Sequence, residues 1–411
     1  MLYDMVFEGG GAKGMVFLGA LQVLNTKGYT PARLLGTSAG SIMSTLLAAG
    51  YTIQEMEDAL NEKKNGQPVF MGFLEIPKPL SKKEIADSDL RKLLRDVNLK
   101  FIPDGLEDKL DDSIATALST STYTSRIFSF FERGGFYAAD FFLDWLTNKL
   151  NSGVYPVEQG NFGKGAPRKF GGMTLTQFYD ATGVDLSLIA SDTSQSEMLV
   201  LNHRTAPNCP VRYAVRMSMS LPLLWEEVVW KKEWGDYRGR DITGDTIVDG
   251  GMLSNFPIEL FLSKQPQVTA VMGDIMTEGT NVLGFLIDEN LEVPGADAPQ
   301  PVEKNISLGE LKPVVRIEKF INTVTQAHDK SVIEAFERYV VHLPAKSYGT
   351  IEFGMSEQRR TALINAGRQA TQNYFTQLEA MQQGGVSFGI EDVEGEATAA
   401  ADKIAAQRLF K

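Results

Sequence analysis

The chain of 411 residues has little of several residue types, and each shortage excludes a class of function. A single cysteine, Cys209, rules out an internal disulfide and a cysteine-rich metal site. The net charge of −12 argues against general nucleic-acid binding, which needs a basic face. No run of about 18 uncharged apolar residues occurs, and no basic segment followed by an apolar one opens the chain. We therefore expect a cytoplasmic protein with neither a membrane span nor a secretory signal.

The first fifty residues have the pattern of two strand-loop-helix units. Apolar residues 2–7 lead into the glycine loop "GGGAKG", and a helical pattern then ends at Gly28. Leu34 and Leu35 lead into the turn "GTSAG", and a second helical pattern ends at Gly50. Two such units in succession predict an α/β fold with a parallel sheet.

Residues 52–170 lose this rhythm and are predicted to form a mostly helical insertion or cap. Its aromatic segment "RIFSFFERGGFYAADFFLDWLTNKL" predicts a helix in which Phe136, Phe142, Leu143 and Leu146 share a face. That helix either covers the sheet or contributes to a lipid-accepting mouth or membrane contact.

The α/β pattern returns after residue 170. A helix is predicted between Thr174 and Gly183, followed by strands at "VDLSLIASD", "MLVLN" and "VTAVMGDI". Long helices are predicted at "EKFINTVTQAHDKSVIEAFERY" and "SEQRRTALINAGRQATQNYFTQLEAM". The last residues, 381–411, are predicted to be a mobile tail or an interaction segment with a short alanine-rich helix.

The loop "GGGAKG" formally fits a dinucleotide-binding pattern, but its surroundings do not. That fold needs an acidic residue about 20 positions on, and none occurs between Gly9 and Gln54. A P-loop is excluded because Met15 follows Gly14. Backbone N–H groups of consecutive glycines suit another anion, and beside a reactive serine they would form an oxyanion hole.

Such a serine is present in Gly36-Thr37-Ser38-Ala39-Gly40, a Gly-x-Ser-x-Gly turn between a strand and a helix. Its hydroxyl needs a base. The candidates are an aspartate that ends the strand "TIVDGG" or one of the chain's histidines, and burial could raise the aspartate's low pKa enough for this task. These candidate bases are Asp249, His203, His328 and His342.

The loop "GGGAKG", the turn "GTSAG" and the "DGG" sequence, in this order, resemble the three motifs of the patatin-like phospholipases. The segments "YAVRMSMSLPLLW", "LSNFPIEL" and "FGMSEQRRTALINAGRQAT" resemble that family too. The likeness covers roughly residues 1–380 and leaves out the tail. It implies a three-layer α/β/α fold with a mainly parallel central sheet and a helical insertion.

The resemblance also implies a Ser-Asp dyad without a catalytic histidine, metal or cofactor. Ser38 would be the nucleophile, Asp249 the general base, and Gly9, Gly10 and Gly11 the oxyanion loop. Glu8 stands where many members have aspartate. The positions that support the motifs are Lys13, Gly14, Gly36, Gly40, Gly250 and Gly251.

The activity implied is hydrolysis of acyl esters of phospholipids or lysophospholipids through an acyl-serine. An acyltransferase would use the same intermediate, and a non-catalytic lipid-binding or storage protein could have the same fold. The partners expected are the lipid substrate and, transiently, a membrane surface, with no nucleic acid. An unidentified activator or self-association is a further hypothesis.

Overall fold

A mainly parallel sheet of eight strands forms the centre of the computed structural model. The structure describes residues 1–79, 81–89, 92, 122–155, 165–274, 280–297, 316, 323, 332–383 and 390–410. The strands are β1 (Leu2–Phe7), β2 (Thr30–Thr37), β3 (Asp185–Asp192), β4 (Glu197–Leu201), β5 (Val228–Val229), β6 (Thr246–Asp249), β7 (Asn281–Asp288) and β8 (Val340–Pro344). Their order is β5-β6-β3-β2-β1-β7-β8, and β4 pairs with β3. The neighbouring strands β3-β2-β1-β7-β8 are parallel, whereas β4 and β6 pair antiparallel with β3.

Helices connect and cover these strands. They are α1 (Val16–Thr26), α2 (Ala39–Ala48), α3 (Ile53–Asn61), α4 (Lys82–Asp87), α5 (Thr122–Arg133), α6 (Asp140–Leu150), α7 (Leu175–Thr182), α8 (Val211–Ser218), α9 (Glu259–Leu262), α10 (Pro266–Met272), α11 (Glu357–Gln383) and α12 (Ile390–Leu409). Short 3-10 helices span Gly11–Met15, Val69–Phe73, Lys232–Trp234, Gly250–Met252 and Glu337–Tyr339. Small two-stranded pairs join Lys63–Lys64 to Gln67–Pro68, Val154–Tyr155 to Ala166–Pro167, and Gly135–Tyr137 to Leu223–Trp225.

Each face of the sheet has its own hydrophobic core. In β1 the side chains of Met5 and Phe7 join the core that contains α1 and α11, whereas Val6 joins the core that contains α9, α10 and α12. This alternation follows from the two-residue period of a strand. The three-layer α/β/α architecture with a mainly parallel sheet is therefore confirmed.

Of two predictions about the middle of the chain, one is confirmed and one is wrong. Thr174 and Gly183 do bound α7, with a capping box at its start and a left-handed glycine at its end. The aromatic segment, however, is not one helix. Gly134 has a φ of 74°, which ends α5, and Phe136 lies in a short strand before α6 begins. The shared helical face predicted for Phe136 and Phe142 is wrong.

The strand predicted at "VTAVMGDI" is also wrong, because its first five residues, 268–272, belong to α10. Pro266 occupies its first turn, where a missing N–H has no consequence, and Val268, Val271 and Met272 pack on the sheet at helical spacing. The strand next to β1 is β7, which sequence analysis missed. The helix predicted at "EKFINTVTQAHDKSVIEAFERY" lies mostly outside the described residues.

The C-terminal residues 390–410 are docked on the body of the protein. Ala397, Ala401, Ala405 and Leu409 recur every four residues along α12 and are buried in the second core. An alanine-rich helix is present as predicted, and its packing contradicts the alternative of a mobile tail for these residues. Arg408, near the end of α12, donates hydrogen bonds to Ser254 Oγ (2.6 Å) and Glu259 Oε1 (2.8 Å). The last helix thus contacts the segment that follows β6.

Candidate active site

Ser38 occupies a tight turn between the end of β2 and the start of α2. Its φ is 51°, a left-handed conformation that a serine adopts only where its surroundings enforce it. A Cβ added to Gly40 would lie 2.1 Å from the Phe7 carbonyl oxygen, so only glycine allows α2 to begin so close to β1. The side chain of Ser38 is thereby presented at the carboxyl ends of the parallel strands, where open α/β sheets bind their ligands.

The pairing of β3 explains why Asp249 reaches this turn. At Ile189, β2 pairs on one edge of β3 through Thr37, while β4 occupies the other edge. At the next residue, Ala190, β6 pairs through Asp249, and β4 again occupies the other edge. The strands β2 and β6 therefore lie end to end on the same edge of β3. The residues at their facing ends are Ser38 and Asp249.

Asp249 is buried in a way that changes its chemistry. Its side chain is 1% exposed, and Oδ1 accepts a hydrogen bond from the Gly251 N–H (2.8 Å). Burial raises the pKa of Asp249 to about 7, although the Ser38 hydroxyl and the Gly251 N–H act in the opposite direction. Oδ2 has no hydrogen-bond partner in the described part of the chain. A carboxylate with this pKa can accept a proton near neutral pH.

The glycine loop lies against Ser38. A Cβ on Gly9 would be 3.0 Å from the Cβ of Ser38. The Gly9 N–H donates to the Asn255 carbonyl (3.3 Å), whereas the N–H groups of Gly10 and Gly11 have no partner among the described residues. Gly11 begins the 3-10 helix with a φ of 55°. Of the three predicted oxyanion glycines, Gly10 and Gly11 therefore have N–H groups without a partner in the described part of the structure.

An apolar pocket extends from these groups into the protein. It is partly open to solvent and includes Ser38 and Gly11 in its lining. Helices α2, α3 and α6 supply most of the remaining wall, together with the 3-10 helix at 69–73. Apolar side chains that line it include Met43, Leu46, Met56, Phe70, Phe73 and Trp145. This apolar lining suits an aliphatic ligand.

Comparison with protein families agrees with this geometry. The family model described as patatin-like phospholipase matches residues 5–262, more than half of the chain. The chain belongs to the patatin-like phospholipase family. At the level of that family it is a lipid hydrolase. In the described part of the structure, no helix is both long and apolar enough to cross a membrane.

Individual relatives of this patatin-like chain share about 30% of its residues over the aligned regions. The Bacillus subtilis protein YqhO is 29% identical over 385 residues, which cover 92% of this chain and 99% of YqhO. A patatin-like phospholipase domain-containing protein of Cryptococcus neoformans is 30% identical over 92 residues, 21% of this chain and 10% of that protein.

Solved structures of similar proteins share little sequence with this chain. VipD from Legionella pneumophila has a TM-score of 0.42 at 16% identity, covering 91% of this chain and 67% of VipD. ExoU, in its heterodimeric complex with SpcU from Pseudomonas aeruginosa, has a TM-score of 0.36 at 16% identity. That match covers 99% of this chain and 58% of the other.

The remaining motif residues of the patatin-like site support its shape. Lys13 is buried and donates to Glu289 Oε1 just after β7, so it holds the glycine loop to the sheet. A Cβ on Gly14 would contact the Cβ of Ala39 at 2.7 Å, and one on Gly250 would contact the Ile189 carbonyl oxygen at 2.5 Å. Gly251 supplies the N–H that Asp249 accepts. Gly36 lies near the end of β2, where a Cβ would meet the Gly40 carbonyl oxygen at 2.3 Å.

Asn255 is a contributor that sequence analysis did not single out. Its side-chain amide donates to Glu8 Oε1 (3.0 Å) and to the Gly9 carbonyl (2.9 Å). It therefore connects the segment after Asp249 to the glycine loop. The available signal was its place in "LSNFPIEL", one of the segments that resemble the family.

Two of the candidate histidines lie away from Ser38. His342 lies on β8, three strands from β2, which is about 14 Å at the usual strand spacing. It contacts the carboxylates of Asp288 (2.9 Å) and Glu337 (3.0 Å). His203 stacks on Tyr179 with a centroid distance of 3.7 Å, near Asp185 at the opposite end of β3. His328 lies outside the described residues.

Proposed function

We propose that this chain hydrolyses acyl esters of phospholipids or lysophospholipids, with Ser38 as nucleophile and Asp249 as general base. The observation that carries the proposal is the juxtaposition of a conformationally enforced serine with a buried carboxyl group of pKa about 7. Ser38 also lines the apolar pocket, so the ester bond of a lipid would lie near its hydroxyl if the acyl chain filled the pocket.

The first half of the proposed reaction forms an acyl-enzyme. Ser38 Oγ attacks the ester carbonyl while Asp249 accepts the hydroxyl proton. The carbonyl oxygen becomes an oxyanion that the N–H groups of Gly10 and Gly11 stabilise. The C–O bond to the glycerol oxygen then breaks, and the leaving alcohol takes the proton from Asp249. The acyl group remains on Ser38.

The second half repeats these steps with water. Asp249 accepts a proton from the attacking water, the same donors hold the second oxyanion, and Ser38 leaves as the alcohol with that proton. The products are a fatty acid and an alcohol, and the enzyme is regenerated. Because the substrate resides in a bilayer or micelle, the proposal includes transient contact with a lipid surface, in the cytoplasm.

The test is fatty-acid release from mixed phospholipid and lysophospholipid vesicles, followed by mass spectrometry. We expect Ser38→Ala and Asp249→Asn each to lose at least about 10,000-fold in rate, the size of loss seen when a member of a serine catalytic unit is removed. Asp241→Asn, an exposed aspartate before β6, is the matched control and should keep wild-type activity.

Different outcomes would contradict different parts of the proposal. If Asp249→Asn keeps most of its activity and His328→Ala is inactive, the general base is His328 and not Asp249. Folded wild type that neither releases fatty acid nor labels at Ser38 with a fluorophosphonate would instead be a lipid-binding protein. Transfer of the acyl group to an added alcohol in preference to water would identify an acyltransferase.

A further inference from the structure

A four-residue segment that starts at the last residue of α8 contacts both members of the proposed dyad. The backbone N–H of Ser38 donates to the hydroxyl oxygen of Ser218 (3.0 Å), and Ser218 is completely buried. The N–H of Asp249 donates to the carbonyl oxygen of Ser220 (2.8 Å). The position of the segment 218–221 therefore helps to set the positions of the nucleophile and the base relative to each other.

The alternate residues of the same segment face the apolar pocket. Met219 and Leu221 both belong to its lining. The segment thus has two functions that alternate along the chain, with dyad contacts at Ser218 and Ser220 and pocket contacts at the residues between and after them. An acyl chain in the pocket would lie against the segment that holds the dyad.

The segment is anchored on its far side. The guanidinium of Arg216, which is buried, donates to Ser220 Oγ and to the Glu226 carbonyl (2.6 Å). This anchor limits how far residues 218–221 can move. A ligand in the pocket can therefore change the position of the segment only slightly. On the dyad side, Oδ2 of Asp249 has no partner among the residues that the structure describes, which leaves one hydrogen bond to be gained by a small adjustment.

We propose that residues 218–221 couple the acyl pocket to the dyad, with Ser218 as a positioning residue for Ser38. An acyl chain that contacts Met219 and Leu221 stabilises the arrangement in which Ser38 and Asp249 are aligned, and thereby increases the reactivity of Ser38 as well as the affinity for lipid. A ligand can shift such an equilibrium only through contacts that differ between the two arrangements. This inference rests on the proposed function, because it deepens the role of the same site.

The test separates reactivity from affinity with two alkyl fluorophosphonates, one ethyl and one hexadecyl. Ser38 Oγ forms a bond to phosphorus and fluoride leaves, so the maximal labelling rate (kinact) reports reactivity and the half-saturating concentration (KI) reports affinity. In wild type we expect kinact to be about tenfold higher for the hexadecyl probe, a modest gain for improved orientation. A chain-length effect on KI alone overturns the proposal.

Two pairs of variants locate the coupling. In Ser218→Ala, kinact should fall for the hexadecyl probe to the value of the ethyl probe, and Ser218→Thr, which keeps the hydroxyl, should restore most of the difference. Ser44→Ala is the matched control, since Ser44 is buried in α2 and its hydroxyl has no partner among the described residues. A Ser218→Ala variant that keeps the full chain-length effect on kinact overturns the proposal.

The second pair compares two methionines of the pocket wall. Met219→Ala should lower kinact for the hexadecyl probe, whereas Met56→Ala, which removes the same side chain from α3, should raise KI alone. Equal effects of the two on kinact overturn the proposal. If Ser218→Ala does not fold, the wild-type probes and this pair still decide.

The same measurements distinguish the inference from the proposed function. Wild type that labels at Ser38 with the expected dependence on chain length but releases no fatty acid contradicts the hydrolase and supports the coupling. Wild type that does not label at Ser38 contradicts both.

Discussion

The turn at Ser38 and the loop after Asp249 lie side by side, but the protein stabilises them differently. The turn depends on backbone shape, because Gly40 lets α2 begin against the carbonyl of Phe7. The loop depends on its surroundings, because burial sets the pKa of Asp249 and the distant helix α12 contacts Ser254 through Arg408. The comparison shows that steric requirements of a few glycines define the turn of the proposed nucleophile, whereas the proposed base depends on residues distant in the sequence.

Among changes that keep both Ser38 and Asp249, the largest expected effect comes from breaking the shape of the turn. In Gly40→Ala the new Cβ would lie 2.1 Å from the Phe7 oxygen, so the turn or β1 must shift. We expect a loss of about 3 kcal/mol in the free energy of unfolding and at least about 100-fold in kcat/KM. Urea unfolding and fatty-acid release measure these. Gly172→Ala, where a Cβ would meet nothing within 4 Å, is the control and should change neither.

The next effect changes the charge of Asp249 and leaves its shape intact. Its pKa of about 7 implies that kcat/KM rises with pH and levels off above 7, with roughly a 100-fold increase between pH 5 and pH 8. A rate that is constant across this range, with the protein folded, would contradict a base of raised pKa.

The stability of the fold should change with pH in the opposite sense. The folded pKa of Asp249 lies above its unfolded value of about 3.9, so the folded state binds the proton more tightly. This group's contribution to stability is therefore largest below about pH 4 and decreases as the pH rises to about 7, at about 1.4 kcal/mol per unit of pKa difference. In Asp249→Asn this decrease should disappear from the pH dependence of Tm.

The smallest expected effect on the rate comes from the contacts of Arg408 with Ser254 and Glu259, which we call the α12 brace. Arg408→Ala removes the ion-pair partner of Glu259, which is fully buried, and should lower the free energy of unfolding by about 3 kcal/mol. The rate should fall only severalfold, because Arg408 acts on the dyad through Ser254. Adding Glu259→Gln should recover part of the lost stability.

A surface pair provides the control for this brace. Arg240 and Glu197 form an ion pair with side chains 45% and 32% exposed, so Arg240→Ala should change the free energy of unfolding by less than about 1 kcal/mol. Equal effects of Arg408→Ala and Arg240→Ala would remove the distinction between a buried brace and a surface contact.

Sequence patterns predicted the parts of the molecule whose cause is local. The caps of α7 at Thr174 and Gly183 follow from side-chain and backbone preferences within one turn, and the glycine loop and the Ser38 turn are short motifs. The role of Asn255 could not be predicted, since it depends on contacts across the fold with Glu8 and Gly9.

The wrong predictions have non-local causes as well. The run "VTAVM" in α10 is rich in β-branched residues, and its helical state results from packing on the sheet. β7 contains Gly284, which weakens a strand pattern but allows the ring of Phe256 to pack closely. The pKa of Asp249 follows from complete burial, which no motif reports.

Because β2 and β6 lie end to end along β3, β3 determines the distance between Ser38 and Asp249. Thr37, which precedes Ser38, pairs with Ile189, and Asp249 pairs with the next residue, Ala190. Two adjacent residues of β3 therefore set the spacing of the two strand ends. Inserting a single residue between them would move the ends apart by about 3.3 Å and turn the following side chains of β3 to the opposite face. The length of one inner strand, in which neither proposed catalytic group resides, therefore constrains how this site can change during evolution.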